Sequence, residues 1–405
     1  DLNWVDNSDD ETSFEVHRSP DGISWGARAS RAANVESYSD TGLSGGETWH
    51  YRVRACNGAG CSAWSNESSA TTDTPPPSGP NLTVGGVYIN QRIQRLAGDV
   101  PLVQDMDGYL RVFVLASEAN SFTPDVRVDF YLGGGLTHSE TLSAPGGSVP
   151  QSVDESSLGS SWNVLVPGSL IQDGLEIEVV VDPSNAVSES NESDNSWPGG
   201  GALQSLDVRD TPTFDVTFVP VRQTVNGTVG DVTAGNSGNF LDEALEMLPY
   251  ANADVEIRAE YSTDLPALES GTSSTWSAVL SEVATLRTLD GSSRFYYGVM
   301  EVTYGGGIAG IGYVGWPIAL GWDKSGSAGG VAAHEWGHNL GRPHSPGCGA
   351  GGADSSYPHA DGKIGHWGLD VSSLSLKSPD TFHDFMTYCG PEWISDYVFE
   401  EIIDR

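Results

Sequence analysis

Residues 334–344 read His-Glu-Trp-Gly-His-Asn-Leu-Gly-Arg-Pro-His. His334 and His338 are four apart, so on a helix both imidazoles leave the same face and can bind one metal ion. Glu335 lies about 100° round the helix from His334, beside the metal rather than on it, where it can take a proton from a water. Gly341 follows one turn later and can adopt the positive φ that ends a helix and reverses the chain. That reversal lets His344 return as a third ligand, with Pro343 stiffening the approach. Three neutral imidazoles leave a fourth position open, the pattern of a catalytic rather than a structural zinc. The pKa of a water on such a zinc falls from about 15.7 toward roughly 7, which supplies a hydroxide-like nucleophile at neutral pH. The bland alternative is a surface helix with incidental histidines, and it leaves five fixed positions unexplained.

The elements that must carry this segment follow from hydrophobic periodicity. From about Leu206, Phe214–Val221 reads as a strand. Asn239–Leu248 follows as a helix with Phe240, Leu241, Ala244, Leu245 and Leu248 on one face. Val255–Tyr261 is a strand, and Trp276, Val279, Leu280, Val283 and Leu286 mark a second helix. Strands at Phe295–Val302, Ile308–Val314 and Ile318–Trp322 lead into a third helix from near Gly329. Pro391–Ile403 reads as a terminal helix with Trp393, Ile394, Tyr397 and Val398 on its buried side. The order β-α-β-α-β-β-β-α is that of an α/β or α+β catalytic-type domain.

The 334–344 pattern resembles the metzincin signature of zinc metalloendopeptidases, and the resemblance spans roughly residues 206–405. Phe385-Met386-Thr387-Tyr388 resembles that family's Met-turn, in which Met386 would pack beneath the ligands without binding the metal. Tyr388 matches the position of a tyrosine near the zinc in astacin- and serralysin-like members. It would be a fifth ligand or a hydrogen-bond donor to the oxyanion, and plain packing beside Met386 is the equal alternative. The glycine-rich run 305–315 matches the family's edge strand, so an extended peptide would pair along Ile308–Val314. The remaining histidines (17, 50, 138, 359, 366 and 383) lack ligand spacing and read as structural or surface groups, with His359 and His366 in the lower lobe.

Before this domain, two β-rich segments are separated by a Pro-rich linker at 75–80. Residues 1–74 resemble a fibronectin type III domain through Ser13–Arg18, Tyr38–Leu43, Trp49–Ala55 and Ser65-Asn66. Tyr51 would sit at the tyrosine corner, and the first strand of that fold is missing. Residues 81–200 show strand-like runs at Gly108–Leu115, Asp125–Leu132, Trp162–Val166 and Leu175–Val181. Their close, Val181–Asn195, is similar to the end of a CARDB-type immunoglobulin-like sandwich of bacterial cell-surface proteins. Acidic clusters here and at Asp105-Met-Asp-Gly108 either hold calcium or are solvated loops; no full calcium-loop pattern is present, which favours solvation. The expected architecture is therefore multidomain. Two N-terminal all-β immunoglobulin-like sandwiches precede an α+β metzincin-like domain (201–405), with zinc in a cleft between upper and lower lobes.

Nineteen basic against 55 acidic residues give a formal charge of −36. A field of that sign repels phosphate backbones and anionic lipid, which argues against nucleic-acid and membrane-surface partners. The longest apolar run, Ile308–Gly321, is short of the roughly 20 residues of a membrane span, and no signal peptide is visible. Four cysteines allow three pairings. Their spacing suggests Cys56–Cys61 and Cys348–Cys389 bridges, in keeping with a secreted or cell-surface protein. The leading expectation is a secreted, monomeric bacterial zinc endopeptidase. It would hydrolyse extracellular proteins or glycoproteins with zinc-activated water, Glu335 as general base and acid, and Tyr388 assisting. The alternative is an adhesin or substrate-binding surface protein with a silent metallopeptidase domain; loss of Glu335 or a ligand would have favoured it, and all are present. A zinc hydrolase of another substrate class fits the elongated motif and Met-turn less well.

Overall fold

The computed structural model describes residues 1–73, 79–268, 273–304 and 307–405. Most of the expected linker at 75–80, and Gly305 and Gly306 of the glycine-rich run, lie outside them. The chain forms two compact units, Asp1–Gly79 and Pro80–Arg405.

In the first unit Ser13–Ser19, Gly26–Ala32 and Thr48–Asn57 pair antiparallel, extended by Gly60–Cys61 and Ser68–Thr71. Alternation along the strands turns Phe14, Val16, Tyr51 and Val53 inward, against Tyr38 and Trp4 of the facing layer. Leu2–Asn3 pairs with Ser37–Tyr38 in that layer. Cys56 and Cys61 are bonded across the hairpin. The Tyr51 hydroxyl donates to Asp40 at 3.1 Å, so its tether ends on a carboxylate.

The second unit begins as an all-β sandwich. One sheet joins Leu82–Asn90, Gly108–Ala116 and Trp162–Val166. The other joins Gly135–Leu142, Val126–Leu132, Leu175–Val181 and Ser196–Trp197. Val112, Phe130, Trp162 and Ile177 lie in the core between them. The acidic clusters near Asp105 and Asp182 are occupied by the protein itself. Asp107 accepts from the Gly168 amide, Asp182 from Ala186 and Val187, and Glu189 from Leu82 and Asn195.

A mixed sheet follows, built from β1 (Phe214–Gln223), β2 (Ala253–Ile257), β3 (Phe295–Met300), β4 (Gly310–Gly312) and β5 (Ile318–Trp322). Its order is β2-β1-β3-β5-β4, with Tyr261–Thr263 also pairing β1. The first four neighbours are parallel and only β4 runs antiparallel, on the edge. Parallel neighbours require crossovers; α1 (Gly238–Leu245) and α2 (Ser273–Leu289) supply those before β2 and β3, while β4 lies in the connection from β3 to β5. Period-2 alternation sorts β1 onto two faces: Phe214, Val216 and Phe218 share a core with α1 and α3 (Ala328–Asn339), Val219 and Val221 with α2.

Ile93, Val100, Val103 and Met106 of the sandwich segment join the same core as α3 and the C-terminal residues. Ile93–Gln94 also pairs with Trp367–Gly368. Several elements are shorter than the sequence suggests: α1 ends at Leu245 instead of Leu248, β2 at Ile257 instead of Tyr261 and β3 at Met300 instead of Val302. The edge strand spans Gly310–Gly312 instead of Ile308–Val314, because glycines supply no side-chain packing to extend the ladder. The terminal helix, α4, begins at Asp396 instead of Pro391. Ser395 caps it by accepting from the Val398 amide, and Glu392–Trp393 instead pairs with His383–Asp384.

Candidate metal centre

Helix α3 is amphipathic in an unusual sense, since its second face is polar yet enclosed. Ala332, Trp336 and Leu340 recur at helical spacing and are buried, with Trp336 edge-on to Phe214 at 5.2 Å. Turning those toward the sheet presents His334, Glu335 and His338 to a cavity of about 700 Å³ beneath β4. The helix ends in a paired closure: the Gly341 amide donates to His338 O and the Arg342 amide to Gly337 O. Gly341 has φ +86°, which sends the chain back so that His344 meets the other two imidazoles.

Each imidazole is oriented by a backbone carbonyl. Nδ1 of His334 donates to Phe385 O at 2.8 Å, that of His338 to Arg342 O at 2.7 Å, and that of His344 to Gly351 O at 2.6 Å. A carbonyl can only accept, so Nδ1 carries the proton and each Nε2 is a bare lone pair. The three ligand atoms lie within 4.8 Å of one another, and Nε2 of His338 and His344 are 3.2 Å apart. Two lone pairs repel at that distance unless a cation sits between them. It is close to the about 3.3 Å edge of a tetrahedron with metal–nitrogen bonds of 2.0–2.1 Å. The donor set fits a metal ion. Burial, and then the neighbouring imidazoles, hold His334 down at about 4, and burial lowers His338, so both remain neutral ligands at neutral pH.

Glu335 is 6% exposed and accepts no hydrogen bond from any described residue. Burial alone pushes its carboxyl up to about 8. The edge strand presses on it: a Cβ on Gly310 would fall 2.8 Å from its Oε1, and one on Gly312 3.2 Å from Oε2. Tyr388 is 57% exposed, and its hydroxyl donates to His344 Nε2 at 3.1 Å. Its ring stands in the cavity with the histidines, not in the core beside Met386.

Met386 is buried against the helix at Gly337. A Cβ on Gly337 would fall 2.2 Å from its sulfur and 2.9 Å from the Phe385 ring, so the glycine lets these side chains pack directly on the helix between the two histidines. Cys348 and Cys389 are bonded, joining the loop after His344 to the segment after Tyr388.

Three positioning residues escape sequence reasoning. Asp384 is fully buried and accepts from the Met386 amide, the Ser345 hydroxyl and the Ser395 amide. One carboxylate thereby ties the turn, the His344 loop and the α4 cap together. Asn339 donates to Tyr313 O and Ile318 O, holding the end of α3 to the strand edge. Arg405 donates to Asn339 O and Gly315 O. No local signal marks Asp384 or Asn339, since their partners are set by tertiary packing.

Two further ligand-type groups occur among the described residues. Glu15 with Cys56 and Cys61 is excluded as a metal site by the disulfide. His359 and His366 lie outside the cavity and meet Asp396, which also takes Arg95 Nε at 2.8 Å. That cluster reads as an ion-pair network, because Arg95 already supplies the cation.

No protein-family model matches the chain, and no curated protein does. Similar solved structures include the CARDB domain of a Pyrococcus furiosus protein in complex with di-metal ions. It is 20% identical over 34% of this chain and 99% of that one, with a TM-score of 0.21. The FN1–FN3 domains of chicken CNTN1 are 8% identical over 49% of this chain and 57% of that one, with a TM-score of 0.17. Likenesses at this level leave the reading of the centre to its own geometry.

Proposed function

We propose that the chain is a secreted zinc-dependent endopeptidase acting on extracellular proteins or glycoproteins. The observation that carries the reading is the meeting of three proton-free Nε2 atoms beside an unpartnered, buried carboxylate, under a strand edge. His334, His338 and His344 would hold the zinc; a tri-imidazole set without thiolate is the catalytic preference of that metal. Zinc bound there would supply Lewis acidity, acidifying water and polarising a carbonyl. Glu335 takes the proton from the attacking water and hands it to the leaving amine. Its lack of partners keeps both oxygens available for that exchange. The Tyr388 hydroxyl, standing in the cavity, donates to the carbonyl oxygen as negative charge grows there. β4 offers its outer backbone groups to an extended peptide, and the absence of side chains at Gly310 and Gly312 permits close approach to Glu335.

Two disulfides are compatible with an extracellular setting, and among the described residues no helix is long and apolar enough to cross a membrane. The all-β segments would hold substrate or a surface, or act as spacers. The test is digestion of an unstructured protein by the purified chain, read by mass spectrometry. Cleavage should vanish on chelation and return with one equivalent of zinc. Cleavage that survives complete metal removal would contradict the reading.

A further inference from the structure

The cavity beneath β4 extends past the histidines toward the first turn of α3, where Glu243 of α1 and Glu392 line it. Glycines make the room: a Cβ on Gly329 would lie 2.6 Å from Glu243 Oε2, and one on Gly330 3.4 Å from Oε1. Glu243 is exposed at the rim and Glu392 half-buried. Neither accepts a hydrogen bond or pairs with a cation among the described residues. Burial, and then the nearby Glu243 and Asp384 charges, push the Glu392 carboxyl up to about 7. Glu335, nine-tenths buried and equally unpartnered, faces the same space. Elsewhere several arginines are committed to acids, as Arg95 is to Asp396 and Glu400. Glu243 thus carries its charge at the rim with no cation paired to it among the described residues, and a cation bound there would also favour the ionised form of Glu392 beside it, within a molecule of net charge −36.

The strand edge sets which side of a peptide meets these carboxylates. The Trp322 amide donates to Ala309 O, which places the start of β4 near the chain that enters α3. Tyr313, past the end of β4, is bound by Asn339 at the far end of the helix. Antiparallel pairing is the more stable addition to a strand edge, and a peptide added to β4 in that sense runs from the Tyr313 end toward Ala309, so its C-terminal half approaches Glu243 and Glu392.

We infer that this end of the cavity is a subsite for a cationic side chain, lysine or arginine, lying C-terminal to the bond that is cut. The inference deepens the endopeptidase reading and rests on it only for the fate of the bound peptide.

The test is binding to the full chain carrying Glu335→Gln, which should hold peptides without cutting them. The probes are two labelled alanine-rich peptides that differ at one position, lysine in one and norleucine in the other. Norleucine keeps the stem and lacks the ammonium. The lysine peptide should bind roughly 10–100-fold more tightly, as expected for a charge-assisted contact. Adding Glu243→Gln and Glu392→Gln together should abolish most of that ratio, and each alone part of it. Equal affinities, or a ratio that survives in the double variant, would overturn the subsite. Digestion of the same peptides by the zinc-loaded natural chain separates the two claims. No cleavage alongside a lysine preference in binding defeats only the peptidase reading. Cleavage indifferent to lysine defeats only the subsite, and cleavage on the N-terminal side of lysine supports both.

Discussion

Asp40 in the first unit is partly exposed with a largely covered side chain, Glu335 in the second is buried, and their surroundings are opposite. Burial alone would raise the Asp40 carboxyl, but hydrogen bonds from Arg28, Tyr51 and Arg18 outweigh it and hold the group below the usual carboxylate range. Glu335 receives no such bond, and burial alone raises it to about 8. A buried charge costs several kcal/mol unless it is paired. The chain compensates that cost at Asp40, where the carboxylate ties three strand-borne groups together. At Glu335 no hydrogen bond offsets the cost and burial shifts the group toward its protonated form, which suits the proton exchange proposed for it. The partnered acid braces the framework, and the unpartnered one faces the cavity.

The comparison breaks most visibly at Glu335. Glu335→Gln keeps the shape and all three imidazoles, so metal content by elemental analysis should stay at its natural level. Peptide hydrolysis should fall by about 10³-fold or more, because the proton acceptor is gone. Near-natural turnover would hand the base role to another carboxylate. Tyr388→Phe should come next, lowering kcat roughly 10–1000-fold with KM nearly constant, since the lost donor acts mainly as charge develops on the carbonyl oxygen. An unchanged kcat would leave Tyr388 with no part in the chemistry.

Gly337→Ala tests the support beneath the metal. The added methyl must displace the Met386 sulfur or the helix, and metal affinity measured by competition with a chelator should drop about 10–100-fold. The smallest effect belongs to the framework. Asp40→Asn should cost about 2 kcal/mol of stability at pH 7 while leaving hydrolysis of a short peptide intact. Because the folded Asp40 carboxyl is lowered from 3.8, its contribution is present above that pH and is lost as pH falls through the folded value. Denaturation curves of the natural chain and the variant should therefore draw together as pH falls below 3.8 and meet below the folded value. A gap that persists in acid would assign the loss to packing instead of charge.

The histidine set was legible because ligands on a helix must obey its period, and the turn that returns His344 needs a residue tolerant of positive φ. Strand segments were legible where alternation was strong, as in Phe214–Gln223, whose two sets of apolar residues serve two cores. The edge strand was overextended because a glycine-rich run carries no packing signal to mark its ends. The terminal helix was started early because Trp393 and Ile394 lie at helical spacing from Tyr397 and Val398. The pair Ser395-Asp396, a cap followed by an acid in the first turn, was the better local cue. Asp384 and the Gly337–Met386 contact were hidden because each joins residues that only the folded chain brings together. Glu243 and Glu392 were hidden for the same reason: among 55 acids, nothing local shows which two line the cavity beside α3.

X-ray absorption at the zinc edge of the metal-loaded chain tests the central claim most directly, because it reads the donor set without relying on any activity. The account predicts one tightly bound zinc per chain, with three imidazole nitrogens at about 2.0–2.1 Å and the remaining shell of light oxygen-type atoms. A sulfur shell, a carboxylate-only shell, or no tight zinc in a folded chain would contradict it.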